Sequence, residues 1–104
     1  MVDDLGNPMS KVFSTLSLPV DPARLEEFLE LMRREAPRTR AFDGCLRFEI
    51  YVGDDGAVLF VEHWASQAHS DRYGEWRRST GDMDLLGSYL VAAPQSAVYR
   101  ETGV

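Results

Sequence analysis

Residues 57–66 read AVLFVEHWAS, and this stretch is apolar on both alternating faces. Val58, Phe60, Glu62 and Trp64 fall on one side of an extended chain. Ala57, Leu59, Val61 and His63 fall on the other, because side chains alternate along a strand. Two apolar faces predict a strand inside a sheet, with something covering each side. The strand delivers Glu62, His63 and Trp64, the most chemically capable cluster of the chain. Ser66, a residue type that caps helices, follows directly.

On the N-terminal side, residues 45–52 (CLRFEIYV) alternate cleanly. Leu46, Phe48, Ile50 and Val52 form one face and Arg47, Glu49 and Tyr51 the other, which predicts a half-exposed edge strand. Gly53-Asp54-Asp55-Gly56 reads as the hairpin turn into the central strand. Earlier still, Leu25, Phe28, Leu29, Met32 and Ala36 recur at helical spacing behind Asp21-Pro22, a capping acid followed by a proline. Pro37 weakens the last turn of that helix, and Asp43-Gly44 marks its stop. Residues 10–18 form a strand in which Val12, Phe13, Leu16 and Leu18 occupy both faces, so it too is central.

On the C-terminal side, Ser66 caps a second helix that runs to about Thr80 and stops at Gly81. His69, Tyr73, Trp76 and Thr80 lie on one side of it. Gly74 inside it costs about 1 kcal/mol against alanine, which points to a close approach or a bend. Residues 82–89 (DMDLLGSY) form a short extra helical turn. Pro94 precedes a last strand over residues 95–101.

The order is βαββαβ in one domain, residues 10–101. A flexible polar tail (1–9) precedes it and a short tail (102–104) follows. This order predicts a ferredoxin-like α+β fold: an antiparallel sheet, both helices on one face, and the strands starting at 10 and 57 in the middle. The other sheet face then carries Leu59, Val61 and His63 uncovered. A second copy packed sheet to sheet is the simplest cover, so a homodimer is expected.

The formal charge of −6, from 11 basic and 17 acidic residues, argues against a nucleic-acid surface. No apolar run approaches the ~20 residues of a membrane span. The acidic start does not read as a secretory signal. The single cysteine, Cys45, excludes an internal disulfide and fits the cytoplasm. Two histidines among scattered carboxylates lack metal-ligand spacing, so no metal is expected. There is no glycine-rich phosphate loop and no Gly-x-Ser-x-Gly nucleophile elbow.

Glu62-His63-Trp64-Ala65-Ser66 at a strand end, Asp43-Gly44-Cys45 opening the preceding strand, and Pro94 before the last strand together resemble the antibiotic biosynthesis monooxygenase (ABM) domain. The resemblance spans about residues 10–100. It implies a ferredoxin-like protomer forming a dimeric α/β barrel, with a cavity between helices and sheet. Members include cofactor-independent oxygenases of quinols and aromatic polyketides. Quinol-oxidising members resemble one another in carrying a histidine where this chain has Tyr73, and His69 is one turn earlier. Haem-degrading relatives use a later histidine where Met83 stands here, which disfavours haem degradation.

Oxygenation without flavin or metal needs a phenolate or quinol anion in an apolar pocket, with a base and donors to its oxygen. If Phe60, Glu62 and Trp64 face the helices, they meet His69, Tyr73 and Trp76. The expected catalytic residues are Trp64 (wall and N–H donor), Glu62 or His69 (base) and Tyr73 (donor to substrate oxygen). Phe13, Phe60, Trp76 and Arg77 complete the substrate site. Plain core packing for the aromatics, and an ion pair between Glu62 and Arg77 or Arg78, are the structural alternatives. The function expected is oxidation of a small aromatic, quinol or polyketide-type substrate by molecular oxygen, with no cofactor. An isomerase or cyclase on the same scaffold and a non-catalytic ligand-binding dimer are the rivals.

Overall fold

The computed structural model describes residues 11–104. The expected tail at 1–9 and the first strand residue, Ser10, lie outside them. The elements are β1 (Val12–Leu18), a single 3-10 turn (Pro22–Arg24), α1 (Leu25–Arg40), β2 (Cys45–Val52), β3 (Val58–Trp64), α2 (Gln67–Thr80), α3 (Asp82–Gly87) and β4 (Gln95–Arg100). The four strands lie in the order β2-β3-β1-β4, and every neighbouring pair is antiparallel. This is the ferredoxin-like α+β arrangement, with β1 and β3 central and β2 at an edge. The sheet is open rather than closed into a barrel.

Register decides which residues meet the helices. Leu18 pairs with Val58, Leu16 with Phe60, Ser14 with Glu62 and Val12 with Trp64. Phe48 pairs with Glu62 from the other side. These positions share one face of the pleat. Against it α1 packs Phe28, Leu31, Met32 and Ala36, which form one buried cluster with Leu18, Phe48, Val58 and Phe60. Fully burying Phe28 alone contributes on the order of 2–3 kcal/mol. Leu25 and Leu29, assigned to the same stripe from spacing, are partly buried, while Leu31 is fully inside.

Local chemistry sets the ends of these elements. Asp21 Oδ1 accepts from Ala23 N at 3.0 Å, which caps the turn leading into α1. Pro37 sits on the exposed side of α1, and the helix continues through it to Arg40. A proline has no N–H, so the Arg33 carbonyl loses its helical partner there, in the last turn of α1. The helix thus ends in the turn after the proline, just before the stop expected at Asp43-Gly44. Ser66 Oγ accepts from His69 N at 3.3 Å to cap α2, and Gly81 ends it in a left-handed conformation at φ 78°.

The face opposite the helices carries Phe13, Leu59, Val61 and His63 near its middle. Tyr51 and Tyr99 on the same face are 50% and 54% exposed.

Candidate functional site

The end of β3 and the middle of α2 come together over the sheet. Trp64 is 1% exposed, and its ring lies 4.8 Å from that of Tyr73, centroid to centroid. Phe42, from the α1–β2 loop, closes the group with its edge toward Trp64 at 6.2 Å and toward Tyr73 at 5.2 Å. This aromatic layer holds Tyr73 with its hydroxyl directed to Thr39 and Arg77.

Arg77 lies one helical turn after Tyr73 and is 8% exposed. All three guanidinium nitrogens are engaged. Nε donates to Tyr73 Oη at 2.8 Å, Nη2 to Thr39 Oγ1 at 2.9 Å and Nη1 to Asp82 Oδ2 at 2.7 Å. Glu35 Oε2 is 3.6 Å from Nη1 as well. A guanidinium offers its donors as a rigid planar fork, so these partners fix its orientation. Thr80 Oγ1 donates to the same Asp82 oxygen at 2.7 Å, and this bond with the Arg77 contact holds the Asp82 carboxyl below its usual range.

An open cleft lies beside this network, lined by Ser14, Phe60, Glu62, Tyr73, Arg77 and Met83 among others. A second, narrow cavity reaches toward α1, past Met32, Thr39 and Phe48. The two share Phe60, Tyr73, Arg77 and Leu86, so Tyr73 and Arg77 stand at the partition. Glu62 is on the open side. Burial raises its carboxyl to about 7, against a smaller opposing pull from Arg77. Burial also raises the Tyr73 phenol, while Thr39 and Arg77 pull it the other way. The cleft therefore combines a carboxyl that exchanges its proton near neutrality, a phenol that stays protonated, and apolar walls. That is the usual make-up of a small-molecule site.

Of the eight site residues expected from sequence, Phe60, Glu62, Tyr73 and Arg77 line this cleft. Trp64 stands behind Tyr73 as its support. Trp76 lies outside the cleft lining, with the Arg77 guanidinium 4.7 Å and the Arg38 guanidinium 5.1 Å from its ring. Trp64 and Trp76 are thus not part of the lining expected for them, and Phe13 and His69 differ from the expectation as well. Phe13 pairs with His63 and Tyr99 on the opposite sheet face, with its ring 4.9 Å from that of His63. The parity of β1 puts Val12, Leu16 and Leu18 inward, and Phe13 must then point away. His69 is directed to the α1–β2 turn. Its Nδ1 is 2.7 Å from Ser66 Oγ and its Nε2 is 3.7 Å from Asp43 Oδ2. Its ring fills the space above Gly44, where any Cβ would overlap it. His69 is therefore not in the cleft lining, and Glu62 is.

Thr39, Glu35 and Asp82 were not singled out from sequence. Thr39 was within reach, because it continues the Met32/Ala36 stripe by three residues. Among the described residues no cluster of three or more His, Cys, Asp or Glu is placed to hold a metal ion.

The model of one protein family, antibiotic biosynthesis monooxygenase, matches residues 12–80, a span from β1 to the end of α2 that includes Thr39, Glu62, Tyr73 and Arg77. The chain belongs to the antibiotic biosynthesis monooxygenase family. No curated protein matches it in sequence. Among solved structures, a conserved protein from Methanosarcina mazei aligns with a TM-score of 0.81 at 19% identity, covering 90% of this chain and 95% of that one. A Streptomyces coelicolor monooxygenase from the gene ActVA-Orf6, in complex with nanaomycin D, aligns at 0.76 and 23% identity, covering 97% and 96%. A Shewanella oneidensis protein aligns at 0.77 and 21% identity, covering 90% and 93%. At these identities the likeness is one of fold. In this member of the antibiotic biosynthesis monooxygenase family, the cleft between sheet, α2 and α3 brings Phe60, Glu62, Tyr73 and Arg77 together. No helix among the described residues is long and apolar enough to cross a membrane.

Proposed function

We propose that this protein is a monooxygenase that oxidises a small electron-rich phenol, quinol or polyketide-type aromatic in the cleft between sheet and helices, without a cofactor. The observation that carries the reading is Glu62: a carboxyl raised to about 7, lining the same cleft as the Tyr73 phenol. A general base works best with a pKa near the working pH. Glu62 takes the proton from a ring hydroxyl, and the resulting anion is electron-rich enough to reduce oxygen directly. Tyr73 donates to the ring oxygen as it carries charge. The apolar lining of the cleft, Leu16, Phe60 and Leu86 among it, lowers the polarity around the anion.

The chemistry balances without an external reductant. A quinol that takes up one oxygen atom supplies the four electrons that dioxygen needs. Two come from the ring carbon that becomes hydroxylated, and two from conversion of the quinol to the quinone. The second oxygen atom leaves as water.

A homodimer packed through Leu59, Val61 and His63 belongs to the same proposal, as does a cytoplasmic location. The half-exposed aromatic residues on that open face support the first. The single cysteine supports the second.

A second reading, proton transfer within an isomerase or cyclase, draws on the same Glu62 and needs no oxygen. Oxygen-electrode measurements with naphthalenediols and hydroxyanthrones separate the two. The monooxygenase reading expects one oxygen consumed per substrate and loss of uptake in E62Q. Turnover that continues under anaerobic conditions would favour the isomerase. Ligand-induced stabilisation with no turnover would favour a binding protein.

A further inference from the structure

We propose that Thr39 is a positioning residue that aims the Tyr73 hydroxyl proton into the cleft. Its functional value rests on the reading of Tyr73 as donor to substrate oxygen, but the inference itself comes from the donors and acceptors around two oxygens. Arg77 Nη2, 2.9 Å from Thr39 Oγ1, is a donor and nothing else. Thr39 therefore accepts there, and its own proton needs a second partner. The residue is 2% exposed, and buried hydroxyls are hydrogen-bonded. Ser79 solves this problem by donating to a backbone carbonyl of its own helix, Trp76 O. For Thr39, among the described residues, the partner within reach is Tyr73 Oη at 2.7 Å. Thr39 thus donates to Tyr73.

Tyr73 Oη then accepts twice, from Thr39 at 2.7 Å and from Arg77 Nε at 2.8 Å. A phenol oxygen has two lone pairs and one proton. With both lone pairs occupied, the proton leaves away from Thr39, which lines the cavity toward α1 and not the cleft, and so toward the space shared with Phe60 and Glu62. The reverse polarity, Tyr73 donating to Thr39, would leave the Thr39 proton without an acceptor and turn the phenol away from substrate. Asp82 at 2.7 Å and Glu35 at 3.6 Å hold Arg77 in turn, so the donor pair is set before any ligand arrives. A preset donor costs no reorganisation when charge develops on the substrate oxygen.

The test needs no turnover. The tyrosine ring doublet in resonance Raman spectra has a high intensity ratio when a phenol chiefly accepts and a low one when it chiefly donates. Subtracting Y73F from the wild type cancels Tyr51, Tyr89 and Tyr99. In ligand-free protein, T39V removes a donor to Tyr73, so the Tyr73 ratio falls, and T39S restores it. A ratio that rises in T39V, or does not move, overturns the proposal. T39A serves as the second variant if T39V does not fold, and it carries the same sign. A second arm uses 4-nitrocatechol as a phenolate probe. Its ionised form binds about tenfold more weakly to T39V and nearly normally to T39S, and the T39V effect disappears on a Y73F background. An equal loss in T39V with and without Y73F overturns the positioning role. If the probe does not bind the wild type, the substrate reading of the cleft falls, while the sign of the Raman change still decides the polarity at Thr39.

Discussion

Glu62 and Arg77 line the same cleft, yet Arg77 spends its charge elsewhere. Its Nη1 meets Asp82 Oδ2 at 2.7 Å and Glu35 Oε2 at 3.6 Å, and Glu62 is left with only a distant attraction. Burial then outweighs that attraction, and the Glu62 carboxyl sits at about 7 instead of the ordinary 4.5. The network that fixes Arg77 thereby also keeps an acid–base group available beside an apolar wall.

This balance has a stability signature. The folded protein holds the Glu62 proton up to about pH 7, whereas the unfolded chain releases it near 4.5. Unfolding therefore releases a proton between these values, and the stability contributed at this site falls as pH rises through that window. E62Q, which carries no charge, should match the wild type at pH 4 and exceed it at pH 8 by on the order of 2 kcal/mol, discounted for partial exposure. Urea unfolding at the two pH values measures the difference. An E62Q that is less stable at pH 8 contradicts the buried, unpaired state of Glu62.

Asp82 competes with Glu62 for the guanidinium. D82N removes that competitor, so Arg77 pulls harder on Glu62 and its carboxyl falls toward the ordinary range. The pH dependence of any Glu62-dependent step, or of the Glu62 carboxyl signal in NMR, should move to lower pH. Movement to higher pH would mean that Asp82 does not set the charge available to Glu62.

The fold was legible where alternation is simple. The two apolar faces of β3 placed it in the middle of the sheet, and the Asp-Gly hairpin and the Ser66 cap fixed its neighbours. Phe13 was misplaced because β1 is apolar on both faces. Its direction follows only from the parity of Leu16 and Leu18 with the Phe60 and Val58 they pair with. His69 was legible as chemistry but not as packing, since the demand for a ring there comes from Gly44, remote in sequence. Thr39 and Asp82 look like ordinary helix-end residues until Arg77 brings them together across three helices. Long-range polar networks leave little periodic trace in a sequence.

The Gly44–His69 contact gives a prediction independent of function. Gly44 has φ 85°, and a Cβ there would overlap the His69 ring. G44A should cost on the order of 3 kcal/mol, from the left-handed backbone and the clash together. In the H69A background the same change should cost only about 1–2 kcal/mol, because the clash is gone and the backbone term remains. Thermal unfolding of the double-mutant cycle checks this. Equal costs in both backgrounds would remove His69 from its packing role.

On the outer sheet face, V61D puts a carboxylate at the centre of the proposed dimer contact, where the symmetry of a pair brings two copies close. Wild-type protein should scatter light as a dimer at micromolar concentration and V61D as a monomer, with the monomer fold kept by circular dichroism. A monomeric wild type contradicts sheet-to-sheet packing.

The central claim is that the cleft at Glu62 and Tyr73 performs oxygenation. Isotope-labelled dioxygen tests it most directly, by mass spectrometry of the product from a hydroxyanthrone or naphthalenediol substrate. The account predicts one labelled atom in the product and one in water. It also predicts incorporation reduced at least about hundredfold in E62Q, as for loss of a general base, and about tenfold or more in Y73F. Unlabelled product, or labelling that survives unchanged in both variants, would contradict it.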